Sequence, residues 1–409
     1  MVIMLSAIYF LVGLYFIYVL KIYMKGLQYP TLILCWLIGC FYFLCIPVTL
    51  IVSTGGYDIP EFHQVKGTWG NLDVSTGESM SAGIVIVFML LSLLFTAHVF
   101  SPRQSRPQHF HDYKLNYKKL FKVYRRVLVA VLAMWGLKIY LAGGFVAYFL
   151  EHWYFRNEDK NGVFWLILDR LFDGLYIVFC AVTAIIVADA IKQKRYRSWL
   201  LASSVFMLLM GVLVTANRIH LLLVGLYVLP FILIYNRKLV TPIIIAMPAL
   251  IIMGSYWANI RSYTDKFEGI EIYTDRIISG QVDFMTPIVE ILEGANILVL
   301  FEIVKTAGSE FNLALGESYL KSITWIIPRS MWLEKPLSAT QSVAAVIEPG
   351  EQGWSVSFTQ FGEVYFNFGM AALGVIPIMT IFIVVSSNYL EKRFYRMPLK
   401  GASACLLIF

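Results

Sequence analysis

Two cations, Arg329 and Lys335, stand six residues apart in a polar segment bounded by Pro328 and Pro336. Proline lacks the N–H that a helix interior needs and biases the residue before it toward extended backbone, so residues 327–336 read as a shaped loop. Such a loop can bring an arginine and a lysine onto one anion. A plainer reading is an interfacial loop whose cations meet lipid headgroups and whose Trp332 belongs to an aromatic belt. Further charges lie in apolar surroundings: Arg218 with His220 just behind it, Lys138, and the pair Asp169 and Asp173. Charge at such depth is costly and is retained for pairing or for function. Asp169 and Asp173 share a helical face, where they can pair with Lys138 or Arg170, or mark a substrate or proton route.

The elements that must hold these residues are apolar helices. Hydrophobic residues make up 59% of the 409, charged residues only 14%, and the mean hydropathy is +0.70, beyond what a soluble domain carries. The expected fold is therefore an all-α polytopic membrane protein. Its net charge of +7 follows topology and marks no nucleic-acid-binding domain, because most Lys and Arg sit in short stretches between apolar runs. Cys35, Cys40, Cys45, Cys180 and Cys405 all lie in apolar runs without a CxxC pair, which supports neither a metal site nor a disulfide framework. They read as small buried hydrophobes.

The first apolar run, 2–20, has no basic leader and no small-residue cleavage site, so it is expected to stay as a first span. A second covers 31–52. The segment 53–79 carries Asp58, Glu61, Asp73 and Glu78 against Lys66 alone, and reads as an outside loop. After a third span over 80–100, residues 101–126 hold eight Lys and Arg against Asp112, the strongest inside signal in the chain. This orients the N-terminus outside. Spans four to eight are expected at 127–150, 163–188, 199–216, 219–235 and 240–257. Only Asn217 and Arg218 separate the sixth and seventh, which places Arg218 at an outer corner.

Residues 258–360 then form a long, acid-rich outer loop. Within it, 277–304 is apolar but broken by Gly280, Pro287 and Gly294 and by Asp283, Glu290, Glu293 and Glu302, a pattern suited to interfacial amphipathic helices or a re-entrant pair. A ninth span covers 361–387, and 401–409 is either the start of a tenth or an interfacial tail. The chain thus divides into transmembrane helices over 1–257, the large loop over 258–360 and C-terminal helices over 361–409, with about 9–10 spans in all.

Three pieces in this order carry a resemblance: Thr215-Ala216-Asn217-Arg218 at the outer hairpin, the loop 327–336, and Gly362-Glu363-Val364-Tyr365-Phe366-Asn367-Phe368-Gly369 entering the ninth span. The chain resembles the bacterial O-antigen (Wzy-type) repeat-unit polymerases over its C-terminal half. The resemblance implies a GT-C-like membrane glycosyltransferase of the bacterial inner membrane, with its active site facing the periplasm and needing no metal or other cofactor. It implies transfer of a growing glycan from undecaprenyl diphosphate to the non-reducing end of another lipid-linked repeat unit. Its partners would be that lipid-linked oligosaccharide, membrane lipids, a chain-length regulator and a flippase.

Such a reaction makes physical demands that particular residues can meet. A diphosphate leaving group develops charge and needs preorganised cations where water is scarce, for which Arg218, Arg261, Arg329 and Lys335 are the candidates. The attacking hydroxyl must lose a proton to a base within hydrogen-bond reach; Glu363 is the first choice and His220 the second. The bland roles are a helix N-terminal acid for Glu363 and a hydrogen-bonded core histidine for His220. Trp332 and Tyr365 can stack on sugar rings or anchor the chain at the interface. Two other functions share these features. A secondary transporter or flippase for a lipid-linked or anionic substrate would use Lys138 and Asp169, though no paired repeat is present. An O-antigen ligase would share the diphosphate-binding arginines and differ in its acceptor.

Overall fold

The computed structural model describes residues 2–25, 32–58, 71–101, 117–145, 148, 158–193, 202–208, 224–225, 228–229, 232, 236–242, 245, 271–272, 274–275, 278–279, 292, 294–309, 312–324, 332, 334, 337–347, 356 and 359–394. These form an α-helical membrane protein with one short β ladder. Among the described residues, five helical stretches are long and apolar enough to cross a membrane: Val2–Met24, Ile33–Ser53, Gly77–Val99, Leu171–Ala188 and Gln360–Tyr389. They coincide with the first, second, third, fifth and ninth expected spans. The sixth to eighth fall largely outside the described residues. The chain divides into two compact units, one made of Met1–Ile22, Leu37–Ser101 and Phe284–Val385, the other of Tyr23–Trp36, Pro102–Asp283 and Ser386–Phe409.

In the first unit, helix α1 (Val2–Met24) buries Leu5, Tyr9, Val12, Phe16 and Val19, a repeat of three and four residues that makes one face of a helix. Its other residues, such as Phe10, Leu14 and Ile17, are exposed and apolar, as a lipid-facing surface requires. Helix α2 (Leu32–Cys40) runs through a π turn at Phe41–Cys45 into α3 (Ile46–Ser53). The π turn places the Phe41 ring 5.2 Å from Phe16. Strands β1 (Gly56–Asp58) and β2 (Asn71–Asp73) pair antiparallel, with Tyr57 opposite Leu72.

Asp73 then starts the next helix. Its Oδ1 accepts from the Ser75 N–H at 2.8 Å, and Thr76 caps α4 (Gly77–Val99) by accepting from the Ser79 N–H at 3.3 Å. The Ser75 hydroxyl and then its N–H hold the exposed Asp73 carboxyl below the usual carboxylate range. A group depressed in the folded state stabilises it above its unfolded value and loses that contribution as pH falls through the folded value. Protection of the Ser75 amide against hydrogen exchange is therefore expected to be steady above about pH 4 and to fall below it. Protection that stays level under further acidification contradicts this.

Helix α4 is approached closely at Gly83. A Cβ there would lie 2.9 Å from Leu5 and 3.5 Å from Phe301, and the Gly83 carbonyl accepts the Tyr9 hydroxyl at 2.7 Å. Phe301 belongs to α7 (Gly294–Thr306), which fills the middle of the first unit. Ile297 through Val304 are all buried, among them Glu302, 3% exposed and ion-paired with Lys305. α7 packs against α3 and α4. Of the two alternatives expected for 277–304, a helix covered on every side fits a re-entrant element better than an amphipathic interfacial one. The half-buried Lys305 one turn on neutralises Glu302.

The second unit is built on α5 (Tyr117–Leu141) and α6 (Glu158–Gln193), which pack together. α5 begins inside the basic segment, well before the expected start at 127. Leu120, Tyr124, Val131, Trp135 and Lys138 share its buried face, while Lys122, Arg125 and Arg126 lie on other faces. The helix ends at a turn through Gly143 and Gly144, so Lys138 sits in its last turn and not at mid-span. Lys138 is 2% exposed, its Nζ 4.8 Å from the Phe172 ring centroid and 5.8 Å from that of Tyr148. Ring faces of this kind attract a desolvated ammonium. Trp135, Phe172, Tyr176 and Phe179 continue the same cluster, with successive ring centroids 5.7–6.0 Å apart. The Asp169 and Arg170 side chains lie outside those described.

Candidate functional site

The last part of the first unit, beyond α9 (Ala339–Ile347), assembles the site with the chain ahead of that helix. The Thr359 side chain accepts from the Gly362 N–H at 3.1 Å and starts α10 (Gln360–Phe368), which places Glu363 in its first turn. α10 ends at Gly369, whose φ of 53° is left-handed and strains any residue with a side chain. A Cβ there would lie 3.2 Å from Leu313. A 3-10 turn over Gly369–Ala371 leads into α11 (Ala372–Phe394). The expected ninth span is thus two helices joined at a glycine.

Ahead of it in sequence, Ala314 and Leu315 lie alongside the end of α10. The Ala314 N–H donates to the Phe366 carbonyl at 3.2 Å and the Leu315 N–H to the Asn367 carbonyl at 3.0 Å. Leu315 and Gly316 both take positive φ, 44° and 98°, and so turn the chain into the short helix α8 (Glu317–Ile323). That turn brings Ser318 to Glu363: the Ser318 hydroxyl donates to Glu363 Oε1 at 2.8 Å. Asn367, wholly buried, donates through Nδ2 to Ser318 Oγ and to the Glu363 carbonyl, each at 2.8 Å, and accepts the Gly316 N–H at 2.8 Å through Oδ1. Glu363 is only half-buried, and Ser318 is the one described residue that hydrogen-bonds its carboxylate. One carboxylate oxygen is fixed, and among the described residues nothing hydrogen-bonds the other. This arrangement can accept a proton from a hydroxyl presented to it.

Tyr319 follows Ser318, its ring stacked on Phe368 at 6.2 Å and its hydroxyl buried with no hydrogen-bond partner among the described residues. Burial first, and the Glu363 carboxylate second, push this phenol far above its usual range, so it keeps its proton at any ordinary pH. An unpaired buried hydroxyl is a net cost. Tyr319→Phe is therefore expected to leave the thermal midpoint unchanged or to raise it, a gain of up to about 1 kcal/mol. A clear drop in midpoint contradicts the hydroxyl being unpaired.

Of the residues expected at the site, Glu363 is placed as described. Tyr365 is buried, 6% exposed, and its hydroxyl donates to Met370 Sδ at 3.5 Å, so its ring is enclosed by packing and not offered to a ligand. Trp332 is half-buried and is itself in neither helix nor strand. Arg218, His220, Arg261, Arg329 and Lys335 lie outside the described residues. Sequence reasoning missed Ser318, Tyr319 and Asn367 as members of one cluster. Asn367 stood inside the motif at 362–369, one helical turn from Glu363, and that spacing on a common face was the available signal. Nothing local points to Ser318, which arrives through tertiary pairing. No protein-family model, characterised protein or solved structure matches this chain.

Proposed function

We propose that this protein is a metal-independent polysaccharide polymerase, transferring a growing glycan from undecaprenyl diphosphate to the non-reducing end of another lipid-linked repeat unit at the outer face of a bacterial inner membrane. The observation that carries the reading is Glu363. Its carboxylate is oriented by Ser318 in the first turn of α10, with an oxygen left to take the proton of the attacking hydroxyl. The sequence adds the other half of the reaction. Arg218, Arg261, Arg329 and Lys335 supply cations for the diphosphate as it leaves, and Trp332 a face for a sugar ring. The order of the three resemblance motifs along the chain supports the same assignment.

Transport of the lipid-linked unit is the rival reading, and it rests in the sequence on Lys138 and Asp169. Lys138 lies against the Tyr148 and Phe172 rings. Deletion in the producing strain separates the two. The proposal predicts single repeat units at the cell surface and no longer chains, restored to a ladder by the wild-type gene. Repeat units held on the cytoplasmic side of the membrane would instead make the protein a transporter.

A further inference from the structure

We infer that Asn367 is a positioning residue which, through Ser318, fixes the direction of the proton between Ser318 and Glu363 and so holds Glu363 as an acceptor. This rests on Glu363 acting as the base proposed above. The orientation of the Asn367 amide is dictated by its neighbours. The Gly316 N–H, 2.8 Å from Oδ1, can only donate, and the Glu363 backbone carbonyl, 2.8 Å from Nδ2, can only accept. Nδ2 is therefore also the donor to Ser318 Oγ. A serine has one hydroxyl proton, and with its oxygen already accepting from Asn367 that proton is directed to Glu363 Oε1. A proton taken from a substrate must then go to the other carboxylate oxygen.

Asn367 also holds the turn that delivers Ser318. Its backbone carbonyl accepts the Leu315 N–H, while its side chain takes the Gly316 N–H. Leu315 occupies the left-handed region at φ 44°, which a branched side chain avoids unless its surroundings over-determine it. Four hydrogen bonds of one wholly buried residue therefore join the strained turn, the serine and the Glu363 backbone, and through the serine the carboxylate.

Asn367→Asp separates these roles. It keeps the shape and the acceptor facing Gly316, but puts an accepting oxygen where the amide donor was, so Ser318 donates to position 367 and Glu363 loses its partner. With a lipid-linked repeat unit in nanodiscs, kcat is expected to fall about 10- to 100-fold with KM within about two-fold of wild type. Ser318→Ala is expected to match it, Ser318→Thr to retain most of the activity, and the Asn367→Asp/Ser318→Ala double variant to be no slower than either single. Wild-type kcat in Asn367→Asp, a change in KM alone, or additive losses overturn the inference.

Hydrogen exchange on the same preparations reads the turn without turnover. Asn367→Ala is expected to speed exchange at Leu315 and Gly316 at least about 10-fold, the loss of one buried hydrogen bond to a strained segment. Unchanged exchange overturns the inference whatever the activity. Absence of polymer from the wild type, with faster exchange in Asn367→Ala, sinks the polymerase reading and the network's role in proton transfer, and leaves the turn's dependence on Asn367 standing.

Discussion

Glu363→Gln is expected to lose at least about 100-fold in turnover while binding lipid-linked repeat units as well as the wild type does, because general-base catalysis contributes about 10²- to 10⁴-fold. The substitution is nearly isosteric. Its amide oxygen still accepts from Ser318, whose hydroxyl the carboxylate oxygen now takes at 2.8 Å, so the turn at Leu315 and Gly316 stays in place. What is lost is the capacity of the second oxygen to take a proton. Folding is therefore expected to be intact, with a thermal midpoint close to that of the wild type. Glu363→Ala would lose the same activity but would also leave Ser318 without its acceptor, and is the less informative change. Wild-type turnover in Glu363→Gln removes Glu363 as the base and returns it to the part of an acid complementing the start of α10.

Arg329→Ala is expected to abolish polymer while leaving insertion and abundance in the membrane unchanged. Removing one preorganised donor from a developing negative charge costs about 10²- to 10³-fold, and a cation in a poorly hydrated site belongs at the upper end of that range. Arg329→Lys should recover only part of the loss, since an ammonium cannot reproduce the two parallel hydrogen bonds of a guanidinium to phosphate oxygens. Arg218→Ala is expected to behave in the same way if the outer hairpin meets the same diphosphate. Normal glycan length in Arg329→Ala leaves that residue a headgroup contact and moves attention to Arg218 and Arg261.

The long apolar helices were legible in the sequence because uninterrupted hydrophobicity over some twenty residues has few other solutions. Glu363 was legible for the same reason, as an acid at the mouth of such a run. The ends of α5 were not. The charges of 101–126 mark a side of the membrane and hide that the helix already runs from Tyr117, where Leu120 and Tyr124 continue the buried stripe of Val131 and Trp135. Glu302 interrupts the apolar run of α7, and only the packing around it shows that the acid is buried beside the half-buried Lys305. The partners of Glu363 were out of reach for a different reason. Ser318 lies 45 residues away, and it meets the carboxylate through a turn in which a leucine adopts a backbone conformation that no propensity argument would assign to it.

The most direct test of the central claim uses purified protein in nanodiscs, supplied with the producing strain's own undecaprenyl-diphosphate-linked repeat unit and with neither nucleotide nor metal. The account predicts a ladder of lengthening glycans on a gel, present with wild-type protein and absent with Glu363→Gln and Arg329→Ala. Failure of the wild type to lengthen the glycan, with the same lipid crossing the bilayer of sealed vesicles that contain the protein, would contradict it.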